Sequence, residues 1–438
     1  SSRAKRELAA YWGQGRVSWD DLLYLDATYR REGSSTLSPD NKWGTYYGVS
    51  LAANLTPYIP ALWVTHFKPR ISLGRVGNAP LASGLSASIL GPGGPFFFAG
   101  NFVPSFGIVR AGNPDLREEE TQEVNIGLDF SLFENRIHGT LGVYSRETEG
   151  IIALAPTTNV SPISFVNLGG TSMRGWDLSL GGWVMQKRDF YWQAQLILSG
   201  YGDNLLESLG GDGNSQLLVS NPGAPGVGSS PMVLLEEGTP LGQLYGFAFE
   251  GLDGNGRWQY QDLNGNGQVD FFDQGVIGSG LPSFSWSLVQ TLRWKQLDLQ
   301  FMFRASHGHD LINLYRFFYE YPSVVNNYNR IDTDLYLNAL RDFPGGINSH
   351  YLENASFVRM EYLTLGYSLK ENVLPFLSHL RAYVTFQNPI TFTGYTGDDP
   401  AVRLTDPFGN FGTLASGIDR RGTYPMARGI VVGVDVGL

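Results

Sequence analysis

The run Asp262-Leu-Asn-Gly-Asn-Gly-Gln-Val-Asp-Phe-Phe-Asp273 places oxygen-bearing side chains at the spacing of a calcium loop. Asp262, Asn264 and Asn266 fall at loop positions 1, 3 and 5, and Gly267 falls at position 6, where the chain must turn sharply. Gln268 would offer its backbone carbonyl at position 7, with Asp270 at position 9 and Asp273 at position 12. A hard divalent cation needs that density of oxygens, and a tight turn can deliver it. Asp273 stands where a bidentate Glu is usual, so its reach is shorter. An Asn/Asp/Gly-rich surface turn that binds nothing has the same composition, and both readings stay open. Strands rather than helices flank the run, so it is not a helix–loop–helix sensor.

Other candidates are weaker. Trp258, Tyr260, Phe271, Phe272, Phe317, Phe318, Tyr319 and Tyr321 lie in long polar stretches. Of these, Trp258, Tyr260, Tyr319 and Tyr321 are the candidate ligand-binding residues, able to stack on a sugar or meet a partner; packing of loop against loop is the alternative. His307-Gly-His309-Asp310 has no evident third metal ligand nearby and reads as a solvated loop. Asp253-Gly-Asn-Gly256, Gly91-Pro-Gly-Gly94 and Gly210-Gly-Asp-Gly213 read as turns, since no strand-to-helix pattern follows that would cradle a phosphate. No catalytic constellation emerges, and the chain does not read as an enzyme. The absence of cysteine removes disulfides and thiolate chemistry.

The elements that must hold these residues are long alternating strands. Phe284, Trp286, Leu288, Leu292 and Trp294 are apolar at even positions, with Gln290 the exception, and Ser283, Ser285, Ser287, Val289, Thr291 and Arg293 alternate with them. After Lys295-Gln296, Leu297, Leu299, Phe301, Phe303 and Ala305 repeat the pattern against Asp298, Gln300, Met302, Arg304 and Ser306. Soluble strands average about five or six residues, whereas about 9–11 are needed to cross a bilayer at a tilt. Similar runs recur near 5–14, 17–31, 42–55, 63–75, 119–132, 136–149, 171–186, 188–203, 283–294, 296–306, 355–370, 379–392 and 426–438. A change of parity near Glu361–Leu363 predicts a β-bulge. Short links (15–16, 56–62, 133–135, 187, 295, 371–378) alternate with long ones (32–41, 76–118, 150–170, 204–282, 307–354, 393–425). Tight turns on one side and long loops on the other are what a transmembrane barrel requires.

Composition agrees. The 55 glycines, 26 phenylalanines, 22 tyrosines and 10 tryptophans beside only 16% charged residues suit an aromatic-girdled, strand-rich wall. A net charge of −10 argues against a nucleic-acid partner. No apolar run is long enough for a spanning helix, so any membrane crossing is by strands. Ser1-Ser-Arg-Ala-Lys-Arg-Glu-Leu is not a signal peptide, because no apolar core follows the charges.

Several motifs, in order, resemble the SusC/RagA type of TonB-dependent outer-membrane transporter. They are Ala27-Thr-Tyr-Arg-Arg-Glu-Gly-Ser-Ser35 with Asn41-Lys-Trp-Gly44, Phe67-Lys-Pro-Arg-Ile-Ser-Leu-Gly-Arg-Val-Gly-Asn78, and Asn113-Pro-Asp-Leu-Arg-Glu-Glu-Glu-Thr121 through Phe130. The Asp262–Asp273 run, Ile277-Gly278 and Pro282 continue the series. Ser356-Phe-Val-Arg359, Leu363-Thr-Leu-Gly-Tyr367, Gln387-Asn388, Gly397-Asp-Asp-Pro400 and Tyr424-Pro425 complete it. Ala401 and Leu438 depart from the pattern, as does Gly175-Trp176-Asp177.

The resemblance implies an all-β fold in which residues 1–438 form the C-terminal thirteen or so strands of a plugged barrel of about 22 strands, the plug and earlier strands lying outside this chain. Residues 76–118, 204–282, 307–354 and 393–425 are then the long external loops. It also implies TonB-driven import of a large nutrient, an oligosaccharide or peptide, across the bacterial outer membrane. The expected partners are a SusD-like surface lipoprotein, the TonB complex reached through the region outside this chain, and outer-membrane lipid. Calcium in the 262–273 loop would be structural. A non-transporting barrel that anchors a surface complex is the alternative, and a calcium-stabilised adhesin is a third.

Overall fold

A computed structural model describes residues 5–80, 84–156, 163–210, 215–220, 230–320, 329, 331–333, 346–369, 377–401, 414–422, 424 and 426–437. Its main feature is a 13-stranded antiparallel sheet in which neighbours in sequence are neighbours in space. The strands are β1 (Leu8–Trp19), β2 (Leu23–Ser34), β3 (Trp43–Ala53), β4 (Val64–Asn78), β5 (Glu119–Leu132), β6 (Ile137–Pro156) and β7 (Ile163–Lys187). They continue as β8 (Phe190–Ser208), β9 (Phe284–Trp294), β10 (Leu297–His307), β11 (Phe357–Ser368), β12 (His379–Thr393) and β13 (Gly429–Gly437). Among the described residues no helix is long and apolar enough to cross a membrane.

In several strands the apolar face is the exposed one. In β13 Ile430, Val432, Val434 and Val436 are 70, 77, 60 and 54% exposed, an arrangement that only an apolar surrounding favours. The other face carries cross-strand ion pairs: Arg16 with Asp26 at 2.9 Å, Arg146 with Glu123 at 2.6 Å, and Arg381 with Asp298 at 2.7 Å. This is the polar-in, apolar-out pattern of a barrel wall around a wet lumen. Gln290, the exception on the apolar face, is buried and accepts a hydrogen bond from the Trp192 indole N–H at 2.6 Å.

The thirteen strands fall where the alternation predicts, with corrections at the ends. The first turn is not at 15–16: Gly15 and Arg16 stay paired with Ala27 and Asp26, and the chain reverses at Asp20-Asp21. Both aspartates take positive φ (53° and 47°), and Leu22 N–H closes the turn on the Trp19 carbonyl at 3.0 Å. That backbone hand matches the twist of a hairpin, and Asp tolerates it. The link expected at 150–170 is largely strand, because Ile151, Ile152 and Ala153 continue pairing with Leu168, Asn167 and Val166. Ile152 and Phe165 then pack on buried Leu37, Leu85 and Leu116. The bulge lies where the parity change predicts: Glu361 pairs with neither neighbour, between Met360 and Tyr362.

The long links are not loose. Leu206, Met232, Leu244, Ile312, Phe317 and Ile418, from four different links and strand ends, belong to one buried apolar cluster. Around it stand a four-stranded sheet (Gln216–Val219, Val233–Glu236, Gln243–Phe247, Gln274–Ser279) and a three-stranded sheet (Leu352–Asn354, Asp310–Asn313, Ile418–Asp419). A short helix, α1 (Leu314–Glu320), completes it. The wall is thus capped on its long-link side by a folded layer with its own core.

Candidate functional site

The 262–273 run closes on itself through carboxylate–amide bonds. Asp262 Oδ1 accepts from Gly265 N at 2.7 Å and Asn266 N at 3.2 Å, while Oδ2 accepts from Gly267 N at 2.7 Å. Gly265 and Gly267 take φ of 70° and 81°, which is what lets their N–H groups turn inward. Asn264 and Asn266 side-chain oxygens cap the N–H groups of Asn266 and Gln268 at 3.0 and 2.7 Å.

Asp273 is set apart from the rest. It is fully buried and accepts from Leu263 N at 2.9 Å, Asn264 N at 3.1 Å and Asp270 N at 2.7 Å. The Asp270 amide foremost, with those of Asn264 and Leu263, holds its carboxyl below the usual range against the effect of burial. Asp270 in turn caps the Phe271–Asp273 turn by accepting from Phe272 N at 2.8 Å. Asn264, Asn266, Gln268 and Asp270 remain exposed, and Asp262 is half-buried. Among the described residues no group of three or more Asp, Glu, His or Cys side chains converges as a metal centre.

The aromatic candidates separate into two kinds. Tyr260 is 7% exposed, its ring 5.2 Å from Phe247 and its hydroxyl accepting from Asn348 Nδ2 at 3.4 Å. Trp258 stacks on Tyr260 at 6.4 Å and on Tyr351 at 6.4 Å against the apolar cluster. Burial pushes the Tyr260 phenol far above its ordinary value. Phe317 and Phe318 are buried in α1, and Tyr319 packs half-buried on Tyr315 and Phe318. Tyr321 lies outside the described residues. Phe271 and Phe272 alone stand out, 59 and 77% exposed.

His307-Gly-His309-Asp310 is packed rather than solvated, a correction to the sequence reading. His307 Nε2 accepts from the Trp286 indole at 3.1 Å, and Asp310 accepts from Ser279 N at 3.3 Å. His309 is 4% exposed, and burial lowers its pKa against the pull of Pro400 and Asp310. The run enters the folded layer instead of a free loop.

Two cavities lie where wall and layer meet. The outer one, about 630 Å³, is lined by Asn313, Tyr315, Arg316, Thr396, Asp398 and Asp419 among others. The inner one, about 380 Å³, lies against lumen-facing side chains of β8, β9 and β10, with Leu311, Pro400, Ala401 and Gly417 above them. The same three segments therefore serve both: 311–313, 396–401 and 417–419 contribute to one cavity at one end and to the other at the opposite end.

Two ionic knots hold these segments. Arg316 reaches Glu353 at 2.7 Å, Glu320 at 3.4 Å and His350 at 2.9 Å. Glu353 also accepts from Thr396 N at 2.8 Å. Burial alone would raise the Glu353 carboxyl, but Arg316 and the Thr396 N–H outweigh it and hold it low. The second knot joins Arg359 on β11 to Asp399, both buried. Sequence reasoning singled out the motifs containing Arg359 and Asp399 without seeing that they meet, and it passed over Arg316, Glu320 and Glu353 entirely.

The family described as TonB dependent receptor-like, beta-barrel matches residues 1–228. TonB-dependent receptor P3 of Formosa agariphila is 26% identical, covering 98% of this chain and 45% of its own length. TonB-dependent receptor SusC of Bacteroides thetaiotaomicron is 24% identical, covering 99% and 44%. Among solved structures, the RagAB peptide importer in its closed-closed state superposes with a TM-score of 0.79 at 22% identity, over 98% of this chain and 47% of that one. The chain thus spans a little under half the length of the curated relatives it matches. On the family match and the 13-stranded polar-in, apolar-out wall, the chain belongs to the TonB-dependent receptor-like β-barrel family of the bacterial outer membrane, and its likeness runs to the SusC and RagA type.

Proposed function

We propose that the protein to which this chain belongs imports a large nutrient, an oligosaccharide or peptide, across the outer membrane with energy from the TonB complex. The observation that carries this reading is the pair of cavities in series, one in the external layer and one on the lumen wall, with three segments shared between them. A SusD-like surface lipoprotein covers the external layer, and the TonB complex engages the protein outside this chain. SusC and the RagAB importer, relatives by sequence and by fold respectively, support the assignment.

Calcium serves the 262–273 loop structurally. Asp262 and Asp270 supply the charge, Asn264 and Asn266 the amide oxygens and Gln268 its carbonyl, while Asp273 holds the turn from within. Two carboxylates make a weak site, of about 10⁻⁴–10⁻³ M as in extracellular modules.

The test is uptake by cells carrying the full-length protein and its lipoprotein, supplied with labelled oligosaccharides and peptides, with and without TonB. Accumulation of one class that stops without TonB supports the reading. Surface retention without TonB-dependent uptake of any class overturns it in favour of the scaffold.

A further inference from the structure

The inner cavity carries hydrogen-bonding capacity that the protein does not use. Ser199 and Ser285 satisfy each other at 2.8 Å across β8 and β9. Ser287, Ser306 and Tyr201 also line it, and among the described residues none of their hydroxyls has a side-chain or backbone partner. Polar groups at a concave site without protein partners are those a ligand meets.

Arg304 is held for such a role. It faces the lumen, paired in the ladder with Ser287 on β9 and Arg359 on β11. The bulge turns Glu361 toward it, and Glu361 accepts from Arg304 Nε at 2.6 Å. The Phe357 ring lies 5.1 Å from its guanidinium carbon. Glu361 thus takes the Nε edge and leaves the two terminal nitrogens, a planar fork that fits a carboxylate with two parallel hydrogen bonds. No Asp or Glu is among the residues lining the cavity, so a cation has nothing to pair with there.

We propose that this cavity is a subsite for a carboxylate borne by the cargo, anchored by Arg304 and completed by the Ser287, Ser306 and Tyr201 hydroxyls. The inference rests on the import reading and sharpens it: part of the cargo is acidic, from a uronic-acid sugar or from an acidic peptide side chain.

Calorimetry on the purified full-length protein with its lipoprotein tests this with four probes. Trigalacturonate is compared with neutral galactotriose, and capped Ala-Glu-Ala with capped Ala-Gln-Ala. The expected result is that one acidic probe binds more tightly than its neutral counterpart, and which pair responds names the source of the carboxylate. Arg304→Gln weakens that binding about ten- to a hundredfold, the range for a hydrogen bond to a charged group. It leaves the neutral probe unchanged. Because Arg304→Gln also strips Glu361 of its partner, the double variant Ser287→Ala/Ser306→Ala provides a second readout, with about a threefold to tenfold loss and the wall intact. Acidic probes binding no better than neutral ones, or both variants binding like the parent, overturns the subsite. TonB-dependent uptake by cells carrying the same proteins separates the two readings, since uptake that persists leaves import standing while the subsite falls.

Discussion

The Arg359 guanidinium meets the Asp399 carboxylate at 2.5 Å, joining barrel strand β11 to a strap, residues 394–401, that lines both cavities. Asp399 also accepts from Ala401 N at 2.8 Å and Met426 N at 3.1 Å, so one carboxylate ties wall, strap and the segment that leads into the last strand. Removing one partner strands a buried charge, which costs about 3–5 kcal/mol. Asp399→Asn is therefore expected to free the strap, read as faster hydrogen exchange at residues 394–401 with β9 and β10 unaffected. Burial raises the Asp399 carboxyl, but Arg359 and the two N–H groups outweigh it and lower its pKa. For a lowered carboxyl the stabilisation is present above the unfolded value of about 3.9 and lost as pH falls through the folded one. Strap exchange should then be insensitive to this group from neutral pH down to about 5.

Glu118, at the rim where β5 begins, has the opposite behaviour. Burial first, then Glu32 and Glu120, against Arg6, push its carboxyl up to about 7. The Tyr46 hydroxyl near it is buried without a hydrogen-bond partner among the described residues, and both groups crowd the space above Gly44. A raised carboxyl binds its proton more tightly in the folded state, so stability falls as pH climbs from about 4.5 to about 7 and is level above that. Melting curves across that window should show the slope, and Glu118→Gln should flatten it. A slope that survives the substitution would assign it to another group.

The wall was legible because period-two alternation states the answer locally. Leu380, Ala382, Val384 and Phe386 face out, and Arg381, Tyr383 and Thr385 face in, on a strand with no long-range information needed. The bulge at Glu361 was legible for the same reason, since an extra residue flips the parity. The first turn was misplaced because the strand runs straight through Gly13 and Gly15, where an added Cβ would meet nothing and the pairing with Tyr29 and Ala27 continues. The external layer was not legible at all. Leu206, Ile312 and Ile418 share a core but have no common period, and Arg359 meets Asp399 across 40 residues of chain. Closures of that kind are decided by the tertiary fold, not by neighbours in sequence.

In the calcium-type loop, Asp270 and Asp273 should part company under substitution. Asp273 is the buried latch for three N–H groups, so Asp273→Ala leaves them unsatisfied at a cost of about 1–3 kcal/mol. Cleavage within 262–273 by protease should then be rapid with or without calcium. Asp270→Asn keeps an oxygen for the Phe272 N–H but removes a charge facing solvent. Its folding should be unchanged in chelator, while the calcium concentration needed for protection should rise about tenfold, the loss of roughly 1.4 kcal/mol of binding. Protection of the parent that is the same in calcium and in chelator would show a plain turn.

Trp192 and Gln290 test whether the apolar face truly meets lipid. The indole N–H donates to Gln290 Oε1 at 2.6 Å on that face, beside Ala194 and Phe301 in the ladder. No water is present in hydrocarbon to replace a lost partner. Trp192→Phe leaves the buried Gln290 oxygen without its donor, a cost of about 1–3 kcal/mol, whereas Trp192→Phe with Gln290→Leu removes both halves of the bond and is expected to be nearly neutral. Urea unfolding in lipid vesicles of the full-length protein would give both values, and Gln290→Leu alone completes the cycle, the double effect minus the two single effects being the coupling between the residues. Equal destabilisation by the single and double variants would mean that Gln290 finds water, placing that face in contact with solvent rather than with acyl chains.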